Sequence, residues 1–597
     1  MPLTLYLTPY TLYLCVIPNT EIRMQYSSSI KHPVPSTQYP IPNTEYRIPN
    51  TEYPTPNMPD ILLIQPPIRD FYLTAKRTIP YGLICIASVL IEKGYSVDIL
   101  DGLATSKARI RSLPQQMDYL RRYYPHPDHS PMALFYDYKH FGYSFEHIGK
   151  KARESAAFLV GISSLFTPYM RQAIQTAEAV KAYHPDCKIV LGGHHPTALP
   201  QSVMESSAVD FVLRGEGEVS MPGLAETLSS GGRLASVPGI VFRREDGTLH
   251  VNPPVQMQAP DDYPPPAIHL TNQKFYRRRQ GGSMVVVAGR GCPMRCTYCS
   301  FGDHSYLKHR QRSVQSVIRE IEFAADRSEI GFIDFEDENL SLDRRWFLEL
   351  LDAVQNRFGA GRFELRAMNG LYPPSLDDQV VQEMKAAGFK TLNLSLGSTS
   401  RQQLERFNRS DVRAAFSRAL GLAEKYRLKA VGYVICGAPF QPAADSIADL
   451  LYLAQNRVLA GVSIFYPAPG SRDFELCRTH DLLPGDYACL RSTALPLSHT
   501  TSRTEAVTVL RLARLLNFMK SLLDKNLPLP DACSAEIQVK DPADRLDTGR
   551  RVLSRFLADG KICGVTPDGK VFDHYISEKL SRRFLVGLAK INIRGSQ

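Results

Sequence analysis

From Ile61 onward, short apolar runs alternate with stretches whose apolar residues recur every three to four positions. Ile61-Leu62-Leu63-Ile64 is apolar at every position and stops at Gln65-Pro66-Pro67, so it reads as a buried strand. Residues 82–92 place Leu83, Ile86, Ala87 and Leu90 on one face of a helix. Further strands are predicted over 95–101, 158–164, 188–193 and 211–213. Strands without polar alternation, separated by helical segments, suit a parallel sheet covered on both faces. Residues 58–235 are therefore predicted to form an α/β domain with a Rossmann-like, doubly wound parallel sheet. Such sheets bind ligands at the carboxyl ends of their strands. Pro66-Pro67, Ser163-Ser164, Gly192-Gly193-His194-His195 and Gly215-Glu216-Gly217-Glu218 fall there. No G-x-G-x-x-G follows the first strand, which disfavours a dinucleotide.

A second series of strand–helix units follows, with strands predicted over 283–288, 331–335, 363–368, 391–396, 429–435 and 461–466. Helical patterns at 314–325 and 377–387 lie between them, the latter closed by Gly388. Six units predict a partial (β/α)6 barrel over 283–480, with function at the carboxyl ends of its strands. Residues 236–282 read as a connector: a hairpin turning at Asp246-Gly247, then a Pro-rich extended linker. Residues 103–156 interrupt the first series, are rich in Arg, Tyr and His, and are expected to form helices and a loop near the domain interface. Histidines in such a segment are more often surface residues than ligands, so His126, His129, His140 and His147 are assigned no role. After 480, helices over 504–523 and 548–557 and a small hairpin predict a mostly helical C-terminal region. It is expected as a cap over the barrel mouth that would hold the substrate.

Residues 1–57 follow neither pattern. Ile41-Pro42-Asn43-Thr44-Glu45-Tyr46-Arg47 is repeated at once as Ile48-Pro49-Asn50-Thr51-Glu52-Tyr53-Pro54. Proline at this density removes helix donors and clashes with the preceding turn. The segment is expected to be a disordered tail ahead of a true start at Met58, and it makes a poor signal peptide. Peptides from 1–57 in mass spectra of the native protein would refute the mis-start.

Composition narrows the picture only a little. The 597 residues suit two to four domains. The net charge of +10 is modest, and without a Lys/Arg block it does not indicate a nucleic-acid partner. No run is long and apolar enough to predict a membrane span. Eleven cysteines point to a reducing, cytoplasmic setting rather than to disulfides.

The chemistry concentrates after the first barrel strand, in Gly291-Cys292-Pro293-Met294-Arg295-Cys296-Thr297-Tyr298-Cys299. Three thiolates at C-x-x-x-C-x-x-C spacing can hold three irons of a four-iron cluster and leave the fourth open. A zinc knuckle needs a fourth ligand, which His304 or His309 would have to supply. Tyr298 and the preceding strand favour iron–sulfur. Polar residues at the other strand ends are Glu336-Asp337-Glu338-Asn339, Asn369, Ser395 and Ser398. Cys436 ends the fifth strand and reads as a small core residue, with a reactive thiol as the alternative.

The cysteine motif in this setting resembles the radical S-adenosylmethionine (SAM) enzymes. With the first domain it resembles their cobalamin-dependent class. That resemblance implies three cofactors: a [4Fe–4S] cluster on Cys292, Cys296 and Cys299, SAM, and cobalamin. It implies cobalamin contacts at Ser163, Ser164, Gly192, Gly193, His194, Gly215, Glu216 and Gly217, and a SAM border at Glu336, Ser395 and Ser398. Many relatives carry Glu where this chain has Gly397, so one SAM partner is missing. The D-x-H-x-x-G motif is absent, so no histidine is expected below the cobalt. An external electron donor such as flavodoxin or ferredoxin and a small-molecule substrate are further implications. The activity implied is methyl transfer to an unactivated carbon, with the two strand-end faces opposed across the substrate. Alternatives are a cyclase or rearrangement enzyme using the same cofactors, and a non-catalytic cobalamin or redox sensor. A methylthiotransferase would need a second cysteine triad, and the first domain offers only Cys85 and Cys187.

Overall fold

The computed structural model of the protein describes residues 58–72, 79–277, 281–301, 306–539 and 541–597. The repeat-bearing 1–57 segment and His304 lie outside them.

Strands β1 (Ile61–Gln65), β2 (Val97–Asp101), β3 (Leu159–Ser163), β4 (Lys188–Gly192) and β5 (Phe211–Leu213) pair in parallel in the order β2-β1-β3-β4-β5. The direction of winding reverses between β1 and β3, the crevice where open α/β sheets bind ligands. Successive side chains point to opposite faces. Ile61, Leu63, Leu159 and Val190 pack towards helices α1 (Tyr81–Glu92) and α4 (Gly217–Ser230), in a core that runs on into the barrel. Leu62, Ile64, Val160 and Ile189 form a separate core with α2 (Phe145–Ser155) and α3 (Met170–Tyr183).

The hairpin expected in the connector is part of this sheet. β6 (Ile240–Arg243) pairs antiparallel with β5, and β7 (Leu249–Val251) with β6. Ile240 is buried in one core and Val241 in the other, so the hairpin has two apolar faces and covers the sheet edge. The insertion also differs from expectation. It contributes to a three-stranded antiparallel sheet (Ile68–Asp70, Lys139–Phe141, Ala108–Ile110) and a 3-10 helix, Gln115–Arg122. It reaches the C-terminal region, where Tyr119 donates to the Ala494 carbonyl at 2.5 Å and Asp128 pairs with His574 at 3.0 Å.

The barrel is built from two parallel half-sheets. One is β8 (Gly282–Val286), β11 (Ile330–Phe335) and β12 (Glu364–Ala367); the other is β13 (Thr391–Gly397), β14 (Lys429–Cys436) and β15 (Leu459–Ile464). Single bridges at Leu365–Phe389 and Leu371–Leu394 cross the seam on the β12 to β13 side. Between β8 and β11 a two-stranded antiparallel ribbon, β9 (Gly289–Arg290) with β10 (Arg310–Gln311), closes the base of the cysteine loop.

The C-terminal helices are present, but their place differs from that predicted. Helix α5 (Arg503–Leu523) starts at a capping box made by Ser502 and Glu505 and is buried on most of its circumference. A helix apolar on most sides belongs inside a core. It lies along β15, where the Asn517 amide accepts from Ala460 N at 2.8 Å and donates to Ala460 O at 2.9 Å. Among the described residues, none beyond 480 lines the barrel cavity. Among those residues, no helix is long and apolar enough to cross a membrane.

Candidate active site between the two sheets

The carboxyl ends of the two sheets face each other across a cavity of about 630 Å³. On one side stand Pro66, Pro67, Ser163, Ser164, Gly192, Gly193, His194, Gly215, Glu216 and Gly217. Opposite stand Cys292, Cys296, Cys299, Glu336 and Ser395. The opposed arrangement read from the sequence is thus the observed one, and Ser398 is the one predicted site residue outside the cavity wall.

The first-domain loops are shaped for close approach. Gly193 has φ +124°, and a Cβ there would lie 2.6 Å from the Ser164 carbonyl. Ser164 N donates to Gly192 O at 2.7 Å, joining the two loops. The ring of His194 leans onto Phe301, just past the last cysteine, with centroids 4.2 Å apart, and burial pushes its pKa down to about 4. His195 is fully buried and turned away, bonded to Thr167 and Ser202.

Glu216 has a second role beside its place on the cavity wall. Its carboxylate accepts from Arg310 at 2.7 and 2.9 Å, lies 3.4 Å from Arg290, and accepts from Met257 N. It therefore serves the junction between domains, although its residue borders the cavity. Sequence reading misses this because the partner lies 94 residues away.

In the barrel, burial pushes the Cys292 thiol up to about 11 and the Cys299 thiol higher still. Both thiols are poor thiolates without a cation beside them, as expected of ligands that deprotonate on metal binding. Cys299 Sγ accepts from Phe301 N at 3.4 Å, the kind of contact that tunes an iron–sulfur cluster. Asp337 is spent on the backbone, accepting from Ala288 N at 3.1 Å and Gly289 N at 2.5 Å, and so fixes the approach to the cysteine loop. Burial first, then neighbouring carboxylates, hold Glu336 well above the usual carboxylate range.

Ser398 requires a correction. It is fully buried and donates to Asp449 at 3.0 Å, because the left-handed turn at Gly397 (φ +83°) carries the chain away from the cavity. Cys436 is likewise buried outside the wall, and burial raises its thiol to about 12, so it is a core residue.

Arg409 is the residue that sequence reading missed. Its guanidinium lines the cavity and donates to Tyr298 Oη at 2.6 Å, Ser395 Oγ at 2.7 Å and Ser395 O at 2.8 Å. A Cβ at Gly397 would stand 3.4 Å from it, so the absent carboxylate leaves room for this cation. Its buried Nε has no partner among the described residues.

The donor set suits the implied groups. Three thiols line one wall, and a cubane places each on a different iron. Ser164 Oγ, Glu338 Oε2, Asn339 Oδ1 and Asn369 Oδ1 are buried in the wall without partners among the described residues. Each such atom costs about 1–3 kcal/mol unless a ligand meets it.

A flavodoxin-type sheet opposed to a barrel whose first loop carries C-x-x-x-C-x-x-C defines an α/β enzyme with cofactor sites on both walls of one cavity. A family model for the B12 binding domain matches residues 132–225, and one for the radical SAM superfamily matches residues 286–451. The chain thus joins a B12 binding domain to a radical SAM domain, as these two matches show. It is 26% identical over 431 residues to an uncharacterized methyltransferase of Pyrococcus horikoshii, covering 71% of this chain and 84% of that one. It is 24% identical over 355 residues to the anaerobic magnesium-protoporphyrin IX monomethyl ester cyclase of Rubrivivax gelatinosus, covering 58% of this chain and 62% of that one. Its fold is similar to that of the cobalamin-dependent SAM radical enzyme OxsB, solved with aqua-cobalamin and SAM bound: TM-score 0.59, 14% identity, 84% of this chain and 72% of that one.

Proposed function

We propose that the protein is a cobalamin-dependent radical SAM C-methyltransferase acting on a small molecule. The cavity supports this reading, because one wall carries three cysteines and the other the strand-end loops of the B12 binding domain. When bound, the cluster and SAM supply a 5′-deoxyadenosyl radical and cobalamin supplies a methyl group, for transfer to an unactivated carbon. Cys292, Cys296 and Cys299 would hold the cluster. Ser163, Ser164, Gly192, Gly193 and His194 would border cobalamin, with Gly215 and Gly217 shaping the turn beside it. Glu336 and Ser395 would border SAM, and Arg409 would pair with its carboxylate. Apolar residues such as Val285, Ile464 and Phe465 keep water from the reacting centre. An external one-electron donor and a reducing cytoplasm complete the proposal.

Anaerobic reconstitution with SAM, cobalamin and reductant should give 5′-deoxyadenosine and S-adenosylhomocysteine together. 5′-Deoxyadenosine alone would favour a cyclase or rearrangement, the second reading, which rests on the likeness to the Rubrivivax enzyme.

Arg409→Met should weaken SAM binding by about 10–100-fold, since a charge-assisted hydrogen bond contributes about 1.5–3 kcal/mol. Equilibrium dialysis of the reconstituted protein measures this, and unchanged affinity would remove Arg409 from the SAM site. Bound Co(II) should show no nitrogen splitting from the protein in electron paramagnetic resonance. Splitting that disappears in His194→Phe would instead make His194 a cobalt ligand.

A further inference from the structure

The ribbon at the base of the cysteine loop places Arg290 directly opposite Arg310. Directly opposed residues of an antiparallel pair share one face, and like charges there repel. Both arginines nevertheless have little solvent, with side chains 23% and 9% exposed. Their close ion-pair partners come from the other domain. Arg290 binds Glu218 at 2.6 Å and approaches Glu216 at 3.4 Å, while Arg310 holds Glu216 through both terminal nitrogens. The two carboxylates are 8% and 6% exposed. They flank Gly217, at the start of α4, immediately after the turn at Gly215 that borders the cavity. Gly215 has φ +94°, and a Cβ there would lie 2.1 Å from the Val255 carbonyl, so only glycine lets the turn pack on the connector. Arg290 lies two residues before Cys292.

We propose that Glu216, Glu218, Arg290 and Arg310 are positioning residues that couple the two cofactor sites. The first-domain turn supplies the anions without which the opposed arginines would spread the base of the cysteine loop. Ordering the turn by a bound corrinoid therefore also orders the loop, and the coupling is reciprocal. This rests on the cofactor assignment above but not on the reaction.

The test measures SAM affinity of the cluster-loaded full-length protein with and without hydroxocobalamin, by equilibrium dialysis without reductant. In the wild type, hydroxocobalamin should tighten SAM binding by about 5–150-fold, the usual range for coupled sites. In the double variant Glu216→Gln/Glu218→Gln, iron and sulfide content should hold while that factor falls to near one. Arg310→Lys keeps the charge but loses the two-pronged contact; its factor should be intermediate, and it carries the test if the double variant does not fold. The electron paramagnetic resonance signal of the reduced cluster with SAM should respond to hydroxocobalamin in the wild type and not in the double variant. A factor of one in the wild type, or an undiminished factor in the variants, overturns the proposal. A wild type that couples the sites but forms no 5′-deoxyadenosine would defeat the proposed reaction and leave the coupling standing.

Discussion

Cys296→Ala should abolish SAM cleavage altogether, with the four-iron cluster lost or converted to a degraded form. Each thiolate of the triad is assigned one iron, and two are too few to hold a cubane firmly. Burial makes the loss harder to repair, because the neighbouring thiols resist ionisation without iron. Iron and sulfide analysis with assay of 5′-deoxyadenosine provides the measurement. A Cys296→Ala protein with full iron and full product would refute the cluster assignment. Cys436→Ala, a change in the core outside the cavity wall, should leave iron content as it was.

Arg491→Leu should destabilise the protein by about 3–5 kcal/mol, the usual cost of breaking a buried ion pair from one side. Arg491 is 2% exposed and lies 3.1 Å from Asp70, which is fully buried. It also donates to the carbonyls of Arg69 at 2.6 Å, Pro168 at 3.3 Å and Ala488 at 2.7 Å. Asp70 accepts in addition from Tyr169 at 2.5 Å and Thr493 at 3.0 Å. This segment, whose Ser492 also donates to the end of β15 at Ile464, fastens the barrel to the first domain. Denaturant melts check the loss, and Arg491→Leu with Asp70→Asn should recover part of it. A single variant as stable as the wild type would show that the strap carries no load.

The central strands β1, β3 and β4 were legible because each is mostly a run of apolar residues buried on both sides, and burial is what a hydrophobic run records. The run at Ile61–Ile64, for example, is at most 2% exposed throughout. The cysteine loop was legible because its ligands are close in sequence. The misreadings share a physical cause, since residue type does not state a partner. Glu216 was read only for its place beside the cavity, and its bond to an arginine 94 positions later was not legible. Ser398 was placed by the strand pattern, but a left-handed glycine just before it turns it towards Asp449. Arg409 sits beyond its strand, outside any periodicity, and only the fold returns it to Ser395. The terminal helices were recognised by period, which carries no information about which surface they cover.

The amide of Asn517 on Ala460 has a consequence for how the chain behaves in company. β15 is the outermost strand of its half-sheet, and such a margin can recruit a strand from another molecule. Asn517 takes one donor and one acceptor of that margin, and the helix carrying it stands in the way of an incoming chain. A chain shortened before Arg503 would uncover the part of this margin at Ala460. It should form oligomers and fibrous precipitate in a concentration-dependent way, even with every cofactor ligand in place.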